Sequence, residues 1–170
     1  MYKRQNNKYT GTVLYNQKDI TSYTEIEWTS LRRQSISIVF QGLRLFPELT
    51  TLENIQLKNQ LTNYKTETEI LSYLKRLDVD NLAHKKAETL SYGQQQRIAI
   101  VRALCQPFEL LLLDEPFSHI DTLQIKNATQ LILEEITKRN ATLMIASLGN
   151  TYDIDSVSYT HLTLPTTPYV

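Results

Sequence analysis

Residues 109–113 place four leucines in an unbroken run after Glu109, and the run stops at Asp114, Glu115 and Pro116. A strand with no polar alternation has no face to offer to water. It belongs at the centre of a parallel sheet covered on both faces. Parallel neighbours need crossover connections, usually helices, and the rest of the chain supplies them. Ser35 to Phe40 (Ser-Ile-Ser-Ile-Val-Phe) reads as a second buried strand, and Thr142 to Ala146 as a third. Gly11 to Tyr15 reads as a short strand, followed by a turn over residues 16–19. From about 50 to 89 the pattern is helical. Thr66-Glu-Thr-Glu69 matches a capping box, and Ile70, Leu74 and Leu77 fall on one helix face. Ser91 opens a further helix with Ile98, Val101 and Cys105 on one face, and Pro107 ends it. Asp121 caps a last helix whose inner face is Ile125, Ala128, Ile132 and Ile136. Helices alternating with buried strands specify an α/β fold.

Size and charge narrow the function. The 170 residues suffice for one domain with a sizeable core. Eighteen basic side chains balance eighteen acidic ones, so the basic excess of a dedicated nucleic-acid binder is missing and nucleic acid is not an expected partner. No apolar run approaches the roughly 18 residues of a membrane span. The single cysteine, Cys105, excludes an internal disulfide. The four glycines stand at 11, 42, 93 and 149, and none precedes a lysine. A phosphate-wrapping Gly-x-x-x-x-Gly-Lys-Ser/Thr loop, which needs two glycines five residues apart, is therefore not in this sequence.

Two stretches carry chemistry. In Leu90-Ser91-Tyr92-Gly93-Gln94-Gln95-Gln96-Arg97, Ser91 sits where a helix begins. The unpaired amides and positive dipole end there suit a phosphate, and Gly93 lets backbone approach it. An ordinary capped helix with a polar face explains this stretch equally well when it is taken alone. Asp114 and Glu115 lie at the carboxyl end of the leucine strand, where α/β sheets bind ligands. Asp114 is placed to hold Mg²⁺, directly or through water. Glu115 is placed to orient or deprotonate an attacking water.

Together these residues resemble the ATP-binding cassette (ABC) ATPases. Leu90 to Gln94 matches the family signature Leu-Ser-Gly-Gly-Gln, with Tyr92 in place of one glycine. Leu110 to Glu115 resembles the Walker B strand and its catalytic glutamate. Residues 118–121 (Ser-His-Ile-Asp) stand at the D-loop, and residues 38–41 (Ile-Val-Phe-Gln) at the Q-loop. The stretch from Phe46 to Ile55 and the triple Gln94-Gln95-Gln96 resemble the lipoprotein-release and macrolide-export branch, which also contains a cell-division member. The resemblance implies a P-loop NTPase-like core, here partial. Its sheet is parallel, and a helical signature subdomain over about 50–105 is inserted. The implied ligands are ATP and Mg²⁺. Glu115 and Gln41 would be catalytic. Ser91, Gly93, Gln94 and Asp121 would contact nucleotide, and Asp114 and Gln41 the metal. The implied partners are a second ATPase subunit and a transmembrane permease, on the inner face of the plasma membrane. Ser91 would serve a site in trans and is expected well away from Glu115, which should neighbour Gln41.

Three departures qualify the resemblance. The Walker A loop is expected just upstream of Gly11, before Met1, so this chain is expected to be inactive alone. Leu148 occupies the place of the histidine that reaches the γ-phosphate. Residues 157–170 contain no Lys, Arg, Asp or Glu, and Val157 to Leu162 resembles a translated transposase-end sequencing adapter. The expected organisation is a partial cassette over 1–155 and a non-native, disordered tail over 156–170. The alternative reading is a regulatory cassette that dimerises without turnover. An ABC-type ATPase acting on nucleic acid or ribosomes fits neither the length nor the neutral charge.

Overall fold

The computed structural model describes residues 11–147. Leu148 and the 156–170 tail therefore lie outside the described residues. Leu14–Tyr15 (β1) and Lys18–Asp19 (β2) form an antiparallel hairpin. Its two turn residues, Asn16 and Gln17, have φ of 49° and 62°, the left-handed pair that a tight two-residue hairpin demands. The first strand is shorter than the 11–15 expected.

Three parallel strands form the main sheet in the order β3 (Ile36–Val39), β4 (Leu110–Asp114), β5 (Thr142–Ala146). Val39 pairs with Leu113, and Asp114 with Ala146. The connection from β3 to β4 contains α2 (Thr51–Asn59), α3 (Glu67–Arg76) and α4 (Tyr92–Leu104). The connection from β4 to β5 is α5 (Thr122–Arg139). The fold is thus α/β with a parallel sheet and the helices largely gathered into one crossover.

A further helix, α1 (Glu25–Gln34), precedes β3 and is absent from the periodicity reading. It buries none of its residues, so no apolar stripe marks it. Its signal is the cap: Thr24 and Glu27 form a reciprocal capping box. Three other helices, α2, α3 and α4, begin in the same way, on Thr50/Glu53, Thr66/Glu69 and Ser91/Gln94.

The leucine strand is covered less evenly than its sequence suggests. Leu111 and Leu113 are buried, while Leu110 and Leu112 are only partly so. The first pair shares a face with Ser37 and Val39, and the Ser37 hydroxyl donates to the Ala103 carbonyl of α4 at 2.8 Å. That face meets one continuous core that includes Ile98, Val101, Leu131 and Ile132. On the opposite face Met144 of β5 remains 59% exposed. The expectation of cover on both faces holds for one face among the described residues, because the long helices pack on that side.

The helical crossover is fastened to α5 by buried charge. Lys65, ahead of α3, is 3.7 Å from the Glu135 carboxylate, which also pairs with Arg139. The Arg139 guanidinium donates to the Leu104 and Gln106 carbonyls at 2.8 and 2.9 Å and lies over the Phe108 ring. Burial alone would raise the Glu135 pKa, but the Tyr73 hydroxyl and the two cations hold it below its ordinary value. Removing that carboxylate leaves the buried Arg139 without a carboxylate and Lys65 with Glu69 alone. Glu135→Ala should therefore cost about 3–5 kcal/mol. Glu134→Ala, which deletes an exposed pair with Arg76, should cost no more than about 1 kcal/mol. Urea denaturation of both variants checks the contrast.

The caps add a pH dependence. The backbone N–H of Thr66, then its hydroxyl, hold the Glu69 carboxyl down to about 2 from an ordinary 4.5. A carboxyl depressed in the folded state stabilises the fold above its unfolded pKa. That contribution is lost as pH falls through the folded one. Denaturation midpoints should therefore drop between pH 4.5 and about 2, and Glu69→Gln should flatten this slope.

Candidate functional site

The carboxyl ends of β3 and β4 lie side by side, because Val39 is paired with Leu113. Gln41 follows β3 by two residues. Asp114 ends β4 and Glu115 follows it, so the three residues assigned to water and metal sit on adjacent strand ends. Gln41 and Asp114 are exposed, and Glu115 is half-buried. Glu115 has φ of 47°, and its N–H donates to the Ala146 carbonyl at 2.9 Å. A non-glycine residue in the left-handed region is uncommon. Here it turns the chain sharply off the end of β4.

The first turn of α4 docks on the loop that follows. Ser91 is the N-cap: its hydroxyl accepts from the Gln94 N–H at 3.3 Å, and the Gln94 side-chain oxygen accepts from the Ser91 N–H at 3.0 Å. Gly93 lies directly against the His119 carbonyl, where an added Cβ would collide with backbone oxygen. Ser91 is exposed, and the turn it begins abuts the loop carrying His119 through Gly93. Asp121 is the N-cap of α5, its carboxylate accepting from the Gln124 N–H at 3.0 Å.

Electrostatics distinguish this turn. The capping boxes of α1, α2 and α3 each hold a glutamate at the third helical position, whereas α4 holds Gln94 and no acid in its first turn. A carboxylate there would cancel the positive end of the helix for an incoming anion. The neutral amide makes the same hydrogen bonds without that charge.

Two positioning groups escape the motif reading. Gln96, 1% exposed, donates to the Glu115 carbonyl at 2.8 Å and accepts from the His119 N–H at 3.2 Å. One buried amide thus spans the loop from Glu115 to His119. Arg102, in the last turn of α4, donates to the Leu43 and Arg44 carbonyls at 2.5 and 2.6 Å. Burial pulls its pKa down to about 10. Leu43 and Arg44 are consecutive left-handed residues, with φ of 52° and 53°, and the guanidinium stabilises the carbonyls that this conformation turns outward. The triple glutamine was legible as a motif. Its partners were not, because they lie across the fold.

A parallel sheet ending in Asp-Glu is an α/β core whose strand ends lie where such sheets bind ligands. The family model described as ABC transporter matches residues 1–118, and the chain belongs to that family. It is 32% identical over 154 residues to the ABC transporter ATP-binding protein YtrE of Bacillus subtilis (strain 168), covering 89% of this chain and 65% of that one. It is 34% identical over 143 residues to the lipoprotein-releasing system ATP-binding protein LolD of Syntrophus aciditrophicus (strain SB), covering 81% of this chain and 63% of that one. The chain thus spans a little under two thirds of the length of these relatives. Among solved structures, the dimeric bacterial ABC transporter cassette MJ0796 aligns with TM-score 0.65 and 31% identity, over 75% of this chain and 58% of that one. A post-hydrolysis dimer of MJ0796 bound to ADP and Pi aligns with TM-score 0.65 and 30% identity, over 77% of this chain and 59% of that one.

Gln96→Leu should remove the buried amide that the Glu115 carbonyl and the His119 N–H share. It should cost about 1–3 kcal/mol by denaturation and speed amide exchange selectively over residues 115–119.

Proposed function

We propose that the chain is the ATP-hydrolysing cassette of an ABC transporter, acting as one of two cassettes beneath a membrane permease. What supports this is the placement of Gln41, Asp114 and Glu115 at the ends of adjacent parallel strands. Among the described residues no helix is long and apolar enough to cross a membrane. In this reading the membrane is reached through the permease, from the cytoplasmic side. The LolD relative is named for lipoprotein release, and an extracytoplasmic, lipid-linked substrate of the same kind is the specific form of the proposal.

The residues fit Mg²⁺. No group of three metal-ligating side chains converges among the described residues. A single exposed carboxylate is what Mg²⁺ takes when water and phosphate oxygens fill the rest of its shell. Asp114 would hold the ion, with Gln41 beside it. When bound, Mg²⁺ neutralises charge on the phosphates. Glu115 accepts a proton from the attacking water, and Gln41 orients that water. Ser91 and the Tyr92 and Gly93 amides, which the capping box leaves over, face the γ-phosphate of nucleotide held by the other cassette. Asp121 extends the contact between the two cassettes.

A second reading is a cassette that dimerises without turnover: the 170 residues contain no Gly-x-x-x-x-Gly-Lys-Ser/Thr, the loop that cradles phosphate with backbone amides. Calorimetry separates the readings. The 170-residue chain should show no micromolar binding of Mg-ATP, whereas a version completed with that loop should bind and hydrolyse it. Glu115→Gln in the completed version should lower turnover by about 10²–10⁴-fold with binding retained. Binding without turnover in the unmutated, completed version would favour the second reading.

A further inference from the structure

The structure assigns a role to Tyr92, the residue that replaces a glycine of the family signature. We propose that Tyr92 is a positioning residue that ties the turn after β3 to the loop after β4, so that both move with the first turn of α4. Its hydroxyl donates to the Gln41 carbonyl at 2.5 Å, across 51 residues of sequence. Its ring meets the His119 imidazole edge-on, with centroids 4.5 Å apart and planes at 65°. A glycine at this position makes neither contact. One side chain therefore touches the backbone of Gln41 and the ring of His119, from the two loops that flank Asp114 and Glu115.

The surroundings make this a specific link. The far end of the Gln41 turn is already fixed, because Arg102 holds the Leu43 and Arg44 carbonyls. Inside the turn, the Leu43 N–H donates to the Phe40 carbonyl at 2.8 Å and the Arg44 N–H to the Gly42 carbonyl at 2.5 Å. The near end, at Gln41, is held by Tyr92. On the other side, His119 is anchored by its own N–H to Gln96 and by its Nδ1 to the Ser118 hydroxyl at 2.9 Å. An edge-on aromatic contact and a hydrogen bond are each modest. Joined in one side chain, they couple two loops that share no strand pairing beyond their ends. The proposal rests on the ATPase reading only where it takes Gln41 as the group that orients water.

The test is conformational and uses the full chain without nucleotide. Backbone amide exchange is followed at Leu43, Arg44 and residues 118–120, with the His119 ring proton as a spectroscopic probe; the chain has only three histidines. Tyr92→Phe removes the hydroxyl alone. It should speed exchange at Leu43 and Arg44 about two- to tenfold and leave the His119 ring resonance in place. Tyr92→Gly should speed exchange in both loops and abolish the ring-current shift at His119. The coupling itself is read by His119→Ala. It should speed exchange at Leu43 and Arg44 in the parent chain and have no further effect there in the Tyr92→Gly background. Unchanged exchange at Leu43 and Arg44 in Tyr92→Phe would overturn the proposal, as would His119→Ala leaving those two amides of the parent chain unaffected. If Tyr92→Gly does not fold, Tyr92→Phe and the single His119→Ala variant still decide it. A failure here leaves the ATPase reading intact. A completed cassette that proved inert toward ATP would leave the tyrosine link intact.

Discussion

The buried side-chain amide of Gln96 is the contact on which the site geometry depends. It sits inside α4 with almost no access to solvent, and its oxygen and nitrogen are used by the backbone of a single loop. A buried amide of this kind is costly to leave unpaired and specific when paired. It fixes where the chain goes after the acids at the end of β4. Gly93 can then lie flush against the His119 carbonyl, and Tyr92 can reach both flanking loops. Arg102 repeats the device at the other end of the helix, where it holds two left-handed residues after β3. Helix α4 is thus a rigid rod whose side chains set the positions of both strand-end loops.

Strong local patterns made much of this legible in the sequence. The leucine run, the β-branched strand before Gln41 and the strand from Thr142 lie where pattern places them, and capping residues locate α3, α4 and α5. Helix α1 escaped because it buries nothing, so the apolar period that reveals a helix was missing and only its capping box remained. The partial exposure of Leu110 and Leu112 also escaped. A leucine run records the capacity to be buried on both faces, and the packing of the long helices determines which face is covered.

The site divides along the same line. Asp114, Glu115, Ser91 and Gly93 are recognisable because their chemistry is local: acids at a strand end, a cap and a glycine at a helix start. Gln96, Arg102 and Tyr92 act on carbonyls distant in sequence, and no spacing rule announces such partners. Tyr92 shows the difference best. As a motif residue it is a departure from glycine; in the fold it bridges two loops. The exchange of glutamate for Gln94 in the fourth capping box is legible only once the other three boxes are seen to carry glutamate. That contrast leaves the first turn of α4 without an acid to compete for its positive end.

In the proposed site the acids of one cassette and the signature turn of another act together, and subunit mixing tests this directly. In the version completed with a phosphate-binding loop, one preparation carries Glu115→Gln and another carries Ser91→Arg, each inactive alone. A site completed in trans predicts that mixing restores ATP turnover, because a mixed dimer contains one site with an intact Glu115 and an intact Ser91. If each chain instead used its own signature turn, every site in the mixture would keep one defect. Turnover that stayed at the level of the separate variants, with mixed dimers demonstrably formed, would contradict the account.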